Sequence, residues 1–283
     1  MIICSTDGSL RSMHALPHAA YLAETLGQRL NLVQVFDPSA VTCKHGPDEA
    51  RRLQDEIHVL KASMRLLLTE IGVQPETECR ALLKGESVAD AILNEAAETQ
   101  TRLIAMDTHG HRALRHALLG SVAMDVLARS PMPVMMTGPE VLPPHRNGRY
   151  LVLATYDGSP GSELVFESLR RLDCSRNLSI VIAWIYTPAL GDRAEEIEVR
   201  ERCEKLEALI RQYLSGPGCE TIVRTAPEFA TPEMTIAGLA NELQADAIAM
   251  STRGYDAGRH LLLGSVADGL LTRSHVPLIL TPA

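Results

Sequence analysis

Aromatic side chains are scarce in this chain: three Phe, six Tyr and one Trp make up 4% of its 283 residues. A core of ordinary density must therefore come mostly from Leu, Ile, Val, Met and Ala. Positive charge is also short. Lys and Arg total 27 against 35 Asp and Glu, a net charge of -8. That balance argues against a broad electrostatic grip on DNA, RNA or an anionic membrane, though not against a local basic patch. No apolar run approaches the ~20 residues needed to span a bilayer. The opening MIICSTDGS has no basic region and no cleavage-like site, so it does not read as a signal peptide, and a cytoplasmic protein is expected. The cysteines at 4, 43, 79, 174, 203 and 219 form no C-x-x-C pair, and reduced thiols, several of them buried, are expected. Neither half contains G-x-x-x-x-G-K-[ST], which excludes a P-loop NTPase, and no G-x-G-x-x-G follows the first apolar run.

What is present is a repeat. MIICSTDGS at the start is matched by YLVLATYDGS from Tyr150, so Asp7 falls opposite Asp157. LIAMDTHG from Leu103 is matched by AIAMSTRG from Ala247, and LLGSVA occurs at Leu118 and again at Leu262. RSPMPVMMTGP from Arg129 and RSHVPLILTP from Arg273 close the two copies alike. Identical segments in the same order mean a doubled domain, with about six extra residues in the middle of copy one. The polar stretch Asp37–Asp48 is the natural place for them. GPEVLPPHRNG, rich in Pro and Gly, reads as a linker. The domains are accordingly 1–138 and 149–283, joined by 139–148.

Each copy alternates short apolar runs with helical patterns. The expected strands are Ile2–Cys4, Leu30–Val35, Glu76–Leu82, Leu103–Met106 and Val134–Met136, and then Leu151–Ala154, Leu178–Ile185, Glu220–Thr225, Ala247–Met250 and Leu278–Leu280. Helices are expected over Leu10–Leu26, with Pro17 kinking or tightening it, over Glu49–Ile71 and Glu195–Leu214, over Val88–Glu98 and Thr231–Leu243, and from Ser121 and Ser265. Such alternation gives an α/β fold: two tandem open-sheet parallel domains of five strands each, with both faces covered. Ligands in these sheets sit beyond the carboxyl ends of the strands, where the strand order reverses.

The loops there repeat as well. After the fourth strand come Gly110, nine residues and Gly120-Ser121; in copy two, Gly254, nine residues and Gly264-Ser265. Glycine lets backbone approach an anion closely, and the start of a helix offers unpaired N–H groups and a positive dipole end. Phosphate binding is one reading. Ser265-Val-Ala-Asp268 also fits a helix-capping box, and Asp7 and Asp157 also fit Asx turns after a strand.

These residues resemble the universal stress protein family, whose ATP-binding members carry G-x2-G-x9-G-[ST] after strand four and an Asp after strand one. The likeness covers essentially the whole chain. It implies a Rossmann-like, adenine nucleotide alpha hydrolase-like fold that binds ATP, with or without Mg2+, and acts as a nucleotide-responsive regulator in the stress response, not as an enzyme, with at most slow hydrolysis. By the same likeness Asp7 and Asp157 would face adenine or ribose. Val35, Met106 and Val122, with Ile185, Met250 and Val266 in copy two, would line the pocket. Gly110, Gly120, Ser121, Gly254, Gly264 and Ser265 would hold phosphates. The last strands of the two copies are expected to pair across a pseudo-twofold axis, after which two chains can associate as a homodimer. The signature's first glycine is absent: Asp107 stands there in copy one and Ser251 in copy two. The expectation is tighter ATP binding in copy two, because Asp107 places negative charge at the mouth of a phosphate site. A nucleotide-independent scaffold or holdase-like protein is the alternative function. His14 and His18 have the spacing of a metal pair, but no third ligand is evident and none is expected. His109, His111, Arg112, Arg115 and His116, and Arg253, Arg259 and His260, either neutralise phosphate or form a solvated basic loop.

Overall fold

Strands of four to eight residues, closed off by Asp-Gly-Ser, Gly-Gln or Pro-containing turns, build the centre of the computed structural model. It describes residues 1–9, 11–37, 55, 57–59, 61–62, 65, 68, 75–83, 85–108, 119–145, 149–172, 177–186, 193–214, 219–225, 231–253 and 263–282. Copy one runs β1 (Ile2–Thr6), α1 (Ala15–Thr25), β2 (Leu30–Phe36), β3 (Glu76–Ala81), α2 (Val88–Glu98), β4 (Leu103–Asp107), α3 (Ser121–Arg129) and β5 (Val134–Thr137). Copy two runs β6 (Leu151–Tyr156), α4 (Pro160–Leu172), β7 (Ser179–Tyr186), α5 (Arg193–Tyr213), β8 (Cys219–Thr225), α6 (Pro232–Glu242), β9 (Ala247–Ser251), α7 (Ser265–Arg273) and β10 (Leu278–Thr281). Most of the expected helix Glu49–Ile71 and of the stretch Asp37–Asp48 lies outside the described residues.

Within each copy the strands are parallel, in the order β3-β2-β1-β4-β5 and its counterpart β8-β7-β6-β9-β10. The two five-stranded halves do not stay separate. β5 and β10 pair antiparallel, Met135 opposite Ile279, and fuse them into one ten-stranded sheet. The expected pairing of last strands is thus made within the chain. All four residues of each of these strands are buried, so neither strand is left as an exposed edge.

One apolar layer lies under α1 and α4 and includes Leu16, Leu22, Phe166 and Leu169. The other lies under α2, α3, α6 and α7 and includes Ile92, Val126, Ile236 and Leu270. Both layers draw residues from both copies. The seam adds a Tyr21–Tyr150 ring contact at 5.1 Å. Gln28 Nε2 donates to the Leu172 carbonyl at 3.1 Å, and Asn177 Nδ2 to that of Thr25 at 2.9 Å.

The first helix departs from expectation. Instead of running from Leu10, it follows a 3-10 turn at Arg11–Met13 and begins at Ala15. Pro17 is then its third residue, where an N–H has no helical partner to lose, so the helix runs on through the proline to Thr25. Gly27, at φ +60, ends it. Among the described residues no helix is long and apolar enough to cross a membrane.

Candidate functional site

Strand order reverses between β1 and β4, and again between β6 and β9. The loops beyond those strands form the crevice in which this type of sheet takes ligands. Because the copies meet antiparallel, their two crevices open at opposite ends of the sheet.

The loop after β1 is organised by its own polar groups. Asp7 Oδ1 accepts the Ser9 N–H at 3.0 Å. Gly8 sits at φ +82, where an added Cβ would lie 2.9 Å from Gln34 Nε2. Ser12 Oγ meets Thr6 Oγ1 at 2.7 Å and donates to the Ser9 carbonyl at 2.9 Å. Copy two repeats the device. Asp157 Oδ1 accepts from Ser159 N at 2.9 Å, and Gly158 sits at φ +83. Ser162 N donates to Ser159 Oγ at 3.1 Å, and Ser162 Oγ to the Ser159 carbonyl at 2.8 Å. The Asx turn is therefore realised in both copies. It fixes Asp7 and Asp157 as exposed carboxylates at the mouth of each crevice. Ser12 and Ser162 were not among the expected residues, although they stand at the same spacing from each other as Asp7 and Asp157.

Apolar residues line the crevice beside these loops. Met106 and Met250 are buried at the ends of β4 and β9. Val35 and Val122, and Ile185 and Val266, are partly exposed and pack on the same apolar layer. Each copy thus brings its three of these six predicted residues onto one face at its own strand ends.

The glycines that open the next helices behave alike. Gly120 is the N-cap of α3, with extended backbone at φ -65, ψ 154; Gly264 caps α7 at φ -73, ψ 158. Their N–H groups donate to the carbonyls of Thr108, at 2.7 Å, and Thr252, at 2.8 Å. Among the described residues no side chain caps either helix. Ser121 and Ser265 are exposed first residues, so the capping box read at Ser265–Asp268 does not form: Ser265 already lies inside the helix. First-turn N–H groups that no side chain caps are the donors an anion would use. Asp268 also lies in the first turn of α7, where copy one has Met124, and burial pushes its carboxyl above the ordinary range. Gly110 and Gly254, with residues 109–118 and 255–262, lie outside the described residues.

The two replaced glycines differ in environment. The side chain of Asp107 is only 6% exposed; its Oδ2 accepts from Thr137 Oγ1 at 3.0 Å and lies 3.9 Å from His14 Nδ1. Ser251 Oγ instead donates to the Arg253 carbonyl at 2.6 Å. That carbonyl closes on α4, where a Cβ at Gly161 would come within 2.9 Å of it. His14 and His18 do not form a metal pair. His18 is buried and its Nε2 is bonded to the Leu142 carbonyl at 2.8 Å. No group of three or more His, Cys, Asp or Glu that could hold a metal ion occurs among the described residues. Burial pushes the Cys4 thiol up to about 12, with Asp107 acting in the same direction, so Cys4 is an inert core residue.

Comparison with known proteins gives a consistent result. The model of the Universal stress protein family matches residues 1–138 and again 151–282. Universal stress protein Rv2005c of Mycobacterium tuberculosis is 23% identical over 300 residues, covering 98% of this chain and 95% of its own. Universal stress protein Rv1996 of the same species is 26% identical over 303 residues, covering 98% and 93%. The crystal structure of a universal stress protein from Archaeoglobus fulgidus superposes with a TM-score of 0.61 at 20% identity, over 99% of this chain and 95% of that one, and shares its fold.

Proposed function

Since the chain belongs to the universal stress protein family, we propose that it binds adenine nucleotide in the crevices beyond β1/β4 and β6/β9 and acts as a nucleotide-responsive regulator in the cytoplasm. The observation that carries this reading is the duplicated helix start. In both copies a glycine N-cap bonded to the preceding strand end opens a helix that no side chain among the described residues caps, beside a partly exposed apolar wall. Duplicated structural features of this kind suit a phosphate at the helix start and a flat base against the aliphatic wall. The family resemblance puts ATP, with or without Mg2+, in that place. Asp7 and Asp157 are then acceptors for ribose hydroxyls or an adenine amino group.

Regulation, rather than turnover, is the proposed task. Nucleotide occupancy would set the conformation of the loops after β4 and β9 and so select a partner, with hydrolysis slow at most. Copy two is proposed as the tighter site, because Ser251 is neutral where copy one carries Asp107. Asp268 acts against this difference, and its raised pKa weakens that opposition.

The test is to denature the purified full-length protein and assay the supernatant for adenine nucleotide, and in parallel to record the melting temperature with and without ATP and magnesium. Bound nucleotide or an ATP-dependent rise in melting temperature, reduced in Gly264→Val because copy two is the tighter site, is expected. Neither signal at millimolar ATP would overturn nucleotide binding and favour the scaffold or holdase-like alternative.

A further inference from the structure

The linker crosses the seam between the copies, and Leu142 is gripped there from both sides. Its N–H donates to the His275 carbonyl of copy two at 2.9 Å. Its own carbonyl is bonded to His18 Nε2, on α1 of copy one, at 2.8 Å. A carbonyl can only accept, so Nε2 carries the hydrogen of a neutral ring and Nδ1 carries the lone pair. His18 is 2% exposed, and its Nδ1 is buried with no hydrogen-bond partner among the described residues. Beside the ring lies a cavity of ≈ 120 Å³ bordered by Leu142, His145, Asn241, Asp246 and His275.

We propose that the segment Val141–His145 is a proton-sensitive latch: neutral His18 holds Leu142 in the seam, and protonation of the ring releases the linker and opens the cavity beneath it. A second ring proton would put an N–H and a positive charge on a buried atom that has no acceptor. Burial already holds the His18 pKa down at about 4, and His145 acts in the same direction, while the bond to Leu142 opposes them. Once the ring reaches water, it returns toward its ordinary value near ~6.5. The latched state therefore binds fewer protons than the released one. Latching is complete above ~6.5 and is lost progressively as pH falls from there toward 4. Linkage over that window lowers the latched-to-released ratio about tenfold between pH 7.5 and 5.5.

Among the described residues the other titratable groups at this seam are Tyr21 on α1, His145 on the linker, Tyr150 before β6, Asp246 before β9 and His275 before β10, while His14, which precedes α1, faces Asp107 instead. Tyr150 is held far above its ordinary value by burial and is silent in this range. Asp246 works with the opposite sign. Burial raises its carboxyl, against the Leu151 N–H and His145, so acid removes a buried charge there and favours the latched state. An Asp246→Asn variant should accordingly keep the acid release.

Hydrogen exchange of the peptide containing Leu142, in the full chain at pH 7.5 and 5.5 and corrected for intrinsic rate, tests the latch. Wild type should open about tenfold more at pH 5.5, and Asp246→Asn should do the same. His18→Gln keeps an N–H donor that cannot titrate and should show no such change. Equal protection of the wild type at both pH values, or the same response in His18→Gln, would overturn the proposal. Should the Gln variant not fold, NMR titration of the His18 ring decides. A ring titrating near its ordinary value while the linker stays protected would refute the latch; one that stays neutral until the linker opens would support it.

Discussion

Asp107 and Ser251 occupy equivalent positions, and their partners explain how one residue changes a site. Thr137 Oγ1 donates to Asp107 and holds the carboxylate against β5. The charge is therefore fixed at the strand end, next to the helix start where a phosphate would sit, and water screens it poorly because the side chain is only 6% exposed. Ser251 turns its hydroxyl onto the Arg253 carbonyl and presents no charge. Replacing Asp107 by Ser should therefore tighten ATP binding in copy one by on the order of tenfold, about 1.4 kcal/mol. Isothermal titration of the full chain is the measurement. Two sites of unequal affinity should become more nearly equal in Asp107→Ser, while the tighter site stays unchanged. If the weaker site does not respond, Asp107 is not what separates the copies.

At the scale of elements, sequence pattern placed nearly every strand within a residue or two, because strands buried on both faces read as uninterrupted apolar runs. Helix starts were harder to place. Leu10–Leu26 has helical spacing, yet the Ser9–Ser12 hydrogen bonds draw the first residues into a 3-10 turn, and only Ala15 onward is α-helical. Side-chain competition of this kind leaves no mark on apolar periodicity. The ends of α2 and α6 are a second case: Gln100 and Gln244 both adopt φ 52, a position where glycine is the usual signal. The geometry of the crevice loops was legible where it repeats, as in the turns at Asp7 and Asp157 and the helix starts at Gly120 and Gly264. It was not legible where residues matter through local bonds alone, as with Ser12 and Ser162. That bonding makes a prediction for copy two, where α4 starts at Pro160 and Ser159 is its N-cap. Loss of the cap in Ser159→Ala should cost about 1 kcal/mol, read as a lower urea midpoint with an unchanged slope. The Asp157 turn is closed by the Ser159 backbone N–H, which alanine keeps, so nucleotide affinity at copy two should change little in the same variant.

On the scale of the whole molecule, duplication has produced one continuous ten-stranded sheet rather than two separate ones. β5 and β10 each bury all four residues against the other copy's side of the sheet, and both apolar layers run through the seam. The copies also differ at the seam, since the linker crosses it and His18 has Ser168 as its counterpart. Cutting the chain there would expose the edge of β5 or β10 together with apolar surface such as Met135 and Ile279, which are at most 1% exposed in the intact protein. The fragments 1–138 and 149–283, made separately, should therefore self-associate through the bared strand or precipitate. Mixed or co-expressed, they should form a one-to-one complex whose melting is concentration-dependent, as for any association that stabilises the folded state. Light scattering coupled to size exclusion distinguishes the outcomes. Two well-folded, monomeric halves with no affinity for each other would show that the ten-stranded sheet is a contact between independent domains, and that the shared layers add nothing to folding.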